Sequence, residues 1–261
     1  NINLNNILTK EHGDWDLSDK AVITGLAIAE KSDIIKDNDG TINSIHIDSL
    51  NLKENDVFAI TGPSGCGKST LLECIGLLRQ EVEFDEFKLE DLDIKELKPK
   101  QHEALRSSQI GFMPQTGGLI PFLKIIDNLK LQIEVASKSL FKLEGKTLDQ
   151  DGLLKSIVYD LKEFGLGKYL NAYPHQLSIG QRQRAVFFKS LCHQPKLLLI
   201  DEPTSALDPE HGKMLFDTMI KVCQSKRVAS LVVTHDLNLV HEFNLRQVTI
   251  MHNGNFKQEQ S

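Results

Sequence analysis

Val57-Phe58-Ala59-Ile60-Thr61-Gly62-Pro63-Ser64-Gly65-Cys66-Gly67-Lys68-Ser69-Thr70 joins an apolar run to a glycine-rich turn. Residues 57–61 read as a buried strand, and residues 62–69 fit the phosphate-loop pattern G-x-x-x-x-G-K-[ST] completely. The glycines let the backbone curl into a nest of N–H donors around a phosphate group. Lys68 adds a cation for the β- and γ-phosphates, and Ser69 offers a hydroxyl to Mg²⁺. The helix that follows, with Leu71, Leu72, Ile75 and Leu78 on one face, turns its positive end toward the anion. Gly62, Pro63, Ser64, Gly65, Cys66, Gly67, Lys68, Ser69 and Thr70 are therefore the candidate nucleotide-binding residues. Cys66 has two readings, a thiolate favoured by the nearby N–H donors or simply a small residue where the loop needs one.

Working outward, Lys196–Ile200 and Ser230–Thr234 read as two more buried strands. Thr24–Ala29 and Ile45–Leu52 read as short strands upstream, and the acidic segment 81–96 as a solvated hairpin edge. Residues 122–185 are expected to be mostly helical, interrupted by a polar loop over Ser137–Gly152. Val/Ile/Leu strands alternating with helices predict an α/β fold with a mainly parallel sheet. Residues 1–19 form a polar extension that holds Trp15, the chain's single tryptophan.

The strand at 197–200 runs into Asp201 and Glu202. The C-terminal end of such a strand is where open α/β sheets bind ligands. Asp201 is suited to hold the hydration shell of Mg²⁺, and Glu202 to accept a proton from an attacking water.

Composition narrows the function classes. The 261 residues carry 30 Lys and Arg against 36 Asp and Glu, a net charge of -6. That argues against binding nucleic acid through a general basic field. The four cysteines, Cys66, Cys74, Cys192 and Cys223, lack metal-type spacing and are expected to be reduced thiols. No apolar run is long enough to span a bilayer, and no signal peptide is expected. Any action on a membrane requires a partner.

Further motifs now group together. Leu177-Ser178-Ile179-Gly180-Gln181 is similar to LSGGQ, the signature of the ABC (ATP-binding cassette) ATPases, and is preceded by Tyr173-Pro174-His175-Gln176. Ser205-Ala206-Leu207-Asp208 resembles that family's D-loop. Val232-Val233-Thr234-His235-Asp236 resembles the strand ending in its switch histidine. Gly111-Phe112-Met113-Pro114-Gln115 resembles its Q-loop, and Asp127-Asn128 stands where the family often has Glu-Asn. The resemblance runs from about residue 45 to the end and looks closest to the lipoprotein-release and macrolide-export type.

The resemblance implies a P-loop NTPase core (20–115 and 186–261), with an N-terminal antiparallel β subdomain and an inserted helical subdomain at 116–185. It implies ATP and Mg²⁺ as ligands, with Glu202, His235 and Gln115 catalytic and Ser69, Gln115 and Asp201 on the metal. It also implies a head-to-tail homodimer in which Ser178, Gly180, Gln181 and Asp208 complete the nucleotide site. The expected partners are integral membrane permease subunits, reached from the cytoplasmic face, with Leu119, Ile120, Pro121 and Phe122 on the receiving surface.

A soluble mechanical ATPase acting on nucleic acid or ribosomes is the alternative. It would require a long coiled coil or a second cassette, and neither pattern is in the sequence. A non-hydrolysing regulatory module is opposed by Glu202 and His235. Two positions depart from the family pattern. Ile179 replaces the usual glycine, either weakening the γ-phosphate cap or pointing away from it. Ile34 and Ile35 stand where an adenine-stacking aromatic is expected, and weaker ATP binding or substitution by Trp15 follows as an expectation.

Overall fold

The computed structural model describes residues 21–28, 35–36, 42–43, 47–79, 84–250 and 256–259. Trp15 with the rest of 1–19 lies outside the described residues, as do Ile34 and the side chain of Ile35. The adenine-stacking expectation falls there.

The chain opens with β1 (Ala21–Ile28), a small pair formed by β2 (Ile35–Lys36) and β3 (Ile42–Asn43), and β4 (Ile47–Lys53). β5 (Val57–Thr61) leads through the phosphate loop into α1 (Lys68–Ile75), as expected. The acidic segment forms β6 (Phe84–Leu89) and β7 (Leu92–Asp93), and these strands join β1 and β4 in an antiparallel sheet of order β4-β1-β6-β7. It is a hairpin edge but not a solvated one, because Phe87, Leu89 and Ile94 are buried.

Then come α2 (Pro99–Gln109), the edge strand β8 (Ile110–Met113), α3 (Ile125–Glu144), α4 (Gln150–Glu163) and α5 (Ile179–Leu191). The expected polar loop over Ser137–Gly152 shrinks to residues 145–149. Helix α3 runs on to Glu144 because Ala136 and Leu140 continue its buried face. It stops where Gly145 takes a φ of 71°, a left-handed conformation that glycine adopts freely. Gly152 lies in the first turn of α4, where its N–H donates to the capping carboxylate of Asp149 at 3.0 Å.

The chain finishes with β9 (Leu197–Asp201), α6 (Pro209–Ser225), β10 (Ala229–Val233), α7 (Leu237–Glu242), β11 (Arg246–Ile250) and β12 (Phe256–Glu259). The main sheet has the order β12-β11-β5-β10-β9-β8, parallel throughout except for β12. Both of its faces are covered. Leu197 and Leu199 of β9 and Leu231 and Val233 of β10 pack with α1 and the antiparallel sheet. The alternate residues Leu198, Ile200 and Val232 pack with α3 to α6. Period-2 side-chain alternation with both faces apolar is the condition for a buried parallel sheet.

Candidate functional site

Strand register brings the site together. Val233 of β10 pairs with Ile60 of β5 on one side and with Asp201 of β9 on the other. The loops after all three strands therefore emerge at the same edge of the sheet. The Glu202 N–H donates to Val233 O at 2.9 Å, and the Thr234 N–H to Ile60 O at 3.1 Å, extending the ladder by one step.

The phosphate loop wraps against β11. A Cβ at Gly62 would meet Ile250 O at 2.6 Å, so only glycine permits this approach. Gly67 stands at the N-cap of α1 with φ 92°, again a glycine conformation. The Lys68 ammonium donates to Gly62 O at 3.0 Å and Pro63 O at 2.8 Å, so the cation is already held within the loop. The Cys66 side chain is buried in the core among the residues packed with α1. Burial leaves the thiol little open approach, which fits the small-residue reading of Cys66.

Two side-chain pairs stand at the strand ends. Ser69 Oγ donates to Asp201 Oδ1 at 2.9 Å. Burial pushes the Asp201 carboxyl above the ordinary carboxylate range, the Ser69 hydrogen bond opposes this, and the charges of Glu202 and Glu73 add to it. Glu202 Oε2 lies 2.7 Å from His235 Nδ1, a hydrogen bond that a carboxylate accepts when Nδ1 carries the proton. Glu202 is buried, whereas the His235 side chain is 61% exposed. Glu202 also has a φ of 44°, a strained value for a residue with a side chain. Gln115, after β8, donates its amide to Ser205 Oγ at 3.4 Å, bringing the segment after β8 to the loop after β9.

A second group forms at the start of α5. Ser178 is the N-cap, its hydroxyl accepting from the Gln181 N–H at 3.3 Å, and Gln181 Oε1 accepts from the Ser178 N–H at 2.9 Å. Ile179 occupies the first helical position with its side chain 54% exposed, so the helix end stays open and correctly capped. The reading in which Ile179 points away fits this geometry. Leu207 and His211 flank Gly180, and Asp208 caps α6 through the His211 N–H at 3.1 Å. Among the described residues no hydrogen bond joins this group to the phosphate loop. One group holds a cationic phosphate nest at the start of α1, and the other the N-terminus of α5.

The surface after Gln115 is built by a residue that the motif reading left without a role. Asn128 is fully buried, accepts from the Ile120 N–H at 2.7 Å, and donates to the carbonyls of Ile120, Leu123 and Lys124 at 3.1–3.2 Å. Thus braced, the loop presents Phe122 with 77% of its surface exposed. Leu119 instead packs partly on the core.

Comparison with known proteins identifies the family of the chain. A family model described as ABC transporter matches residues 45–205. The lipoprotein-releasing system ATP-binding protein LolD 2 of Caulobacter vibrioides is 34% identical over 190 residues, covering 73% of this chain and 78% of its own. The ABC transporter ATP-binding protein MJ0796 of Methanocaldococcus jannaschii is 35% identical over 199 residues, with the same two coverages of 73% and 78%. The dimeric structure of MJ0796 aligns with a TM-score of 0.70 at 28% identity, covering 92% of this chain and 99% of that one. A post-hydrolysis state of the same cassette, bound to ADP and Pi, aligns at 0.69 with 26% identity over 92% and 99% of the two chains.

Proposed function

We infer how this site works from one premise: the chain belongs to the ABC transporter family. It is an ATP-binding and ATP-hydrolysing subunit of such a transporter. Our proposal concerns which residues do the work and what completes the site. The observation that carries it is the Glu202–His235 pair, one residue along the strand end from the Ser69–Asp201 pair.

Residues 62–70 cradle the phosphates, and Lys68 exchanges the carbonyls of Gly62 and Pro63 for β- and γ-phosphate oxygens. Glu202 accepts the proton of the attacking water, in line with its position at a strand end and its anchored carboxylate. His235 holds that carboxylate through Nδ1 and presents Nε2 to the γ-phosphate. Ser69 and Asp201, adjacent oxygen donors with the carboxylate desolvated, fit a hard divalent ion, and Gln115 stands ready to add its amide oxygen. Mg²⁺ held there would neutralise phosphate charge and orient the γ-phosphate.

Ser178, Gly180 and Gln181, with Asp208 behind them, cap the nucleotide held by a second copy. The capped but open N-terminus of α5 supports this, since its N–H groups and dipole favour an anion. The β-sheet portions at 20–115 and 186–261 then act as core, and 116–185 as the helical subdomain that meets the permease through Phe122. Among the described residues no helix is long and apolar enough to cross a membrane. Because its relatives are ATP-binding subunits of membrane transporters, we propose a peripheral position on the cytoplasmic face, against membrane subunits.

The test is Glu202→Gln. ATP binding should persist while hydrolysis falls at least about 100-fold, as for loss of a general base. Undiminished turnover would mean that another group activates the water.

A further inference from the structure

The signature turn is not held by its own helix alone. Gln181 Oε1 is committed to the Ser178 N–H at 2.9 Å, which fixes the orientation of the amide and aims its NH₂ group outward. That group donates to the Tyr169 hydroxyl at 2.9 Å. Tyr169 ends a 3-10 turn, Gly167–Tyr169, and its ring packs partly against the core while Lys168 lies 5.1 Å from the ring centre.

From Tyr169 the bonds continue away from the signature. Tyr169 O accepts from the Ala172 N–H at 2.9 Å. Ala172 O and Leu170 O then accept from the N–H groups of Ile125 and Ile126 at 3.0 and 2.9 Å. These are first-turn donors of α3, which have no partner inside their own helix. They directly follow the loop that Asn128 braces and that exposes Phe122. One bonded path therefore joins the loop at 120–124, the start of α3, residues 169–172, Gln181 and Ser178.

We propose that Tyr169 is a positioning residue whose hydroxyl sets the signature turn and ties its geometry to the loop at 120–124. This rests on the reading of Ser178, Gly180 and Gln181 as the cap on a second copy's nucleotide. The path consists of hydrogen bonds between elements, so a displacement at the loop moves the Gln181 amide, and with it the Ser178 cap. Adjacency alone does not establish coupling, and a double-mutant cycle measures it.

Tyr169→Phe removes only the hydroxyl and keeps the ring packing. We expect kcat of the full chain to fall roughly 2- to 10-fold, the worth of one such bond. ATP affinity measured by calorimetry should be unchanged, because the phosphate loop is untouched. In a Gln181→Ala background the same change should cost nothing further. Wild-type kcat in Tyr169→Phe, additive losses in the double variant, or a joint fall of kcat and affinity would each overturn the proposal. Gly180→Asp, assayed alongside, separates the two levels. If that variant hydrolyses ATP normally, the signature reading itself fails. If it is inactive while Tyr169→Phe matches wild type, only the role of Tyr169 fails.

Discussion

Asp201 faces two opposing demands. Its carboxylate must be charged to help hold a divalent ion, yet burial and the neighbouring acids Glu202 and Glu73 favour its protonated form. A carboxyl raised in the folded state contributes stability below its unfolded pKa and loses that contribution as pH rises through the folded value. Without ligand, this group thus lowers stability from mildly acidic pH upward. Asp201→Asn should raise the melting temperature of the nucleotide-free protein at neutral pH, and calorimetric melts at several pH values would show the gain vanishing on acidification. Protons should also compete with Mg²⁺ at the same carboxyl, so Mg²⁺-dependent ATP binding should weaken as pH falls toward the upper carboxylate range. A pH-independent Mg²⁺ requirement would contradict the assignment. Ile179 is the opposite case, exposed at the first turn of a well-capped helix. Ile179→Gly should leave steady-state ATPase activity close to wild type, and a large gain would mark the side chain as a brake. Asp201 and Glu202 were legible in the sequence because they sit where an apolar strand ends, and Lys68 because the G-x-x-x-x-G-K-[ST] pattern marks it at the start of α1. Tyr169 was not, since a tyrosine in a short polar turn carries no pattern until the fold brings it to Gln181.

At the scale of elements, the readings succeeded where apolar residues run uninterrupted. Strands β5, β9 and β10 were placed to within a residue. The second half of α3 was misread because Ser137, Lys138, Ser139 and Lys142 look like a loop, although Ala136 and Leu140 keep helical spacing. Ser137 is in fact buried, and its hydroxyl accepts from the Leu148 N–H at 3.2 Å, tying the returning chain to the helix. Asn128 performs a similar task for the loop before α3. Asn128→Ala would remove the partner of the Ile120 N–H and of the Leu123 carbonyl, while the Ile120 and Lys124 carbonyls keep backbone donors, and should destabilise the protein by about 1–3 kcal/mol in denaturant titration. The permease contact is best probed from Phe122. A cysteine at Gly118 is unsuitable, since φ there is 82° and a Cβ would lie 2.6 Å from Val186. Phe122→Cys in the assembled transporter should cross-link to a membrane subunit, and capture of a second copy of this chain alone would reject that surface.

For the whole molecule, the decisive feature is the separation of two incomplete half-sites on one chain. Among the described residues the phosphate nest with Glu202 and His235 has the N-terminus of α1 but no bond to α5, and the α5 N-terminus with Ser178 has no phosphate nest. In the proposed head-to-tail pair, two copies would supply both parts twice, with ATP as the bridge between them. Hydrolysis removes the γ-phosphate charge and with it the reason for closure, which is how such a subunit drives a partner. The sequence carried both groups as motifs, but that no hydrogen bond joins them among the described residues became visible only in three dimensions. Sedimentation of the Glu202→Gln variant with Mg²⁺ and saturating ATP tests this most directly. The account predicts a dimer with ATP that reverts to monomer with ADP or on adding Gly180→Asp. A variant that binds ATP yet remains monomeric at every concentration would contradict it.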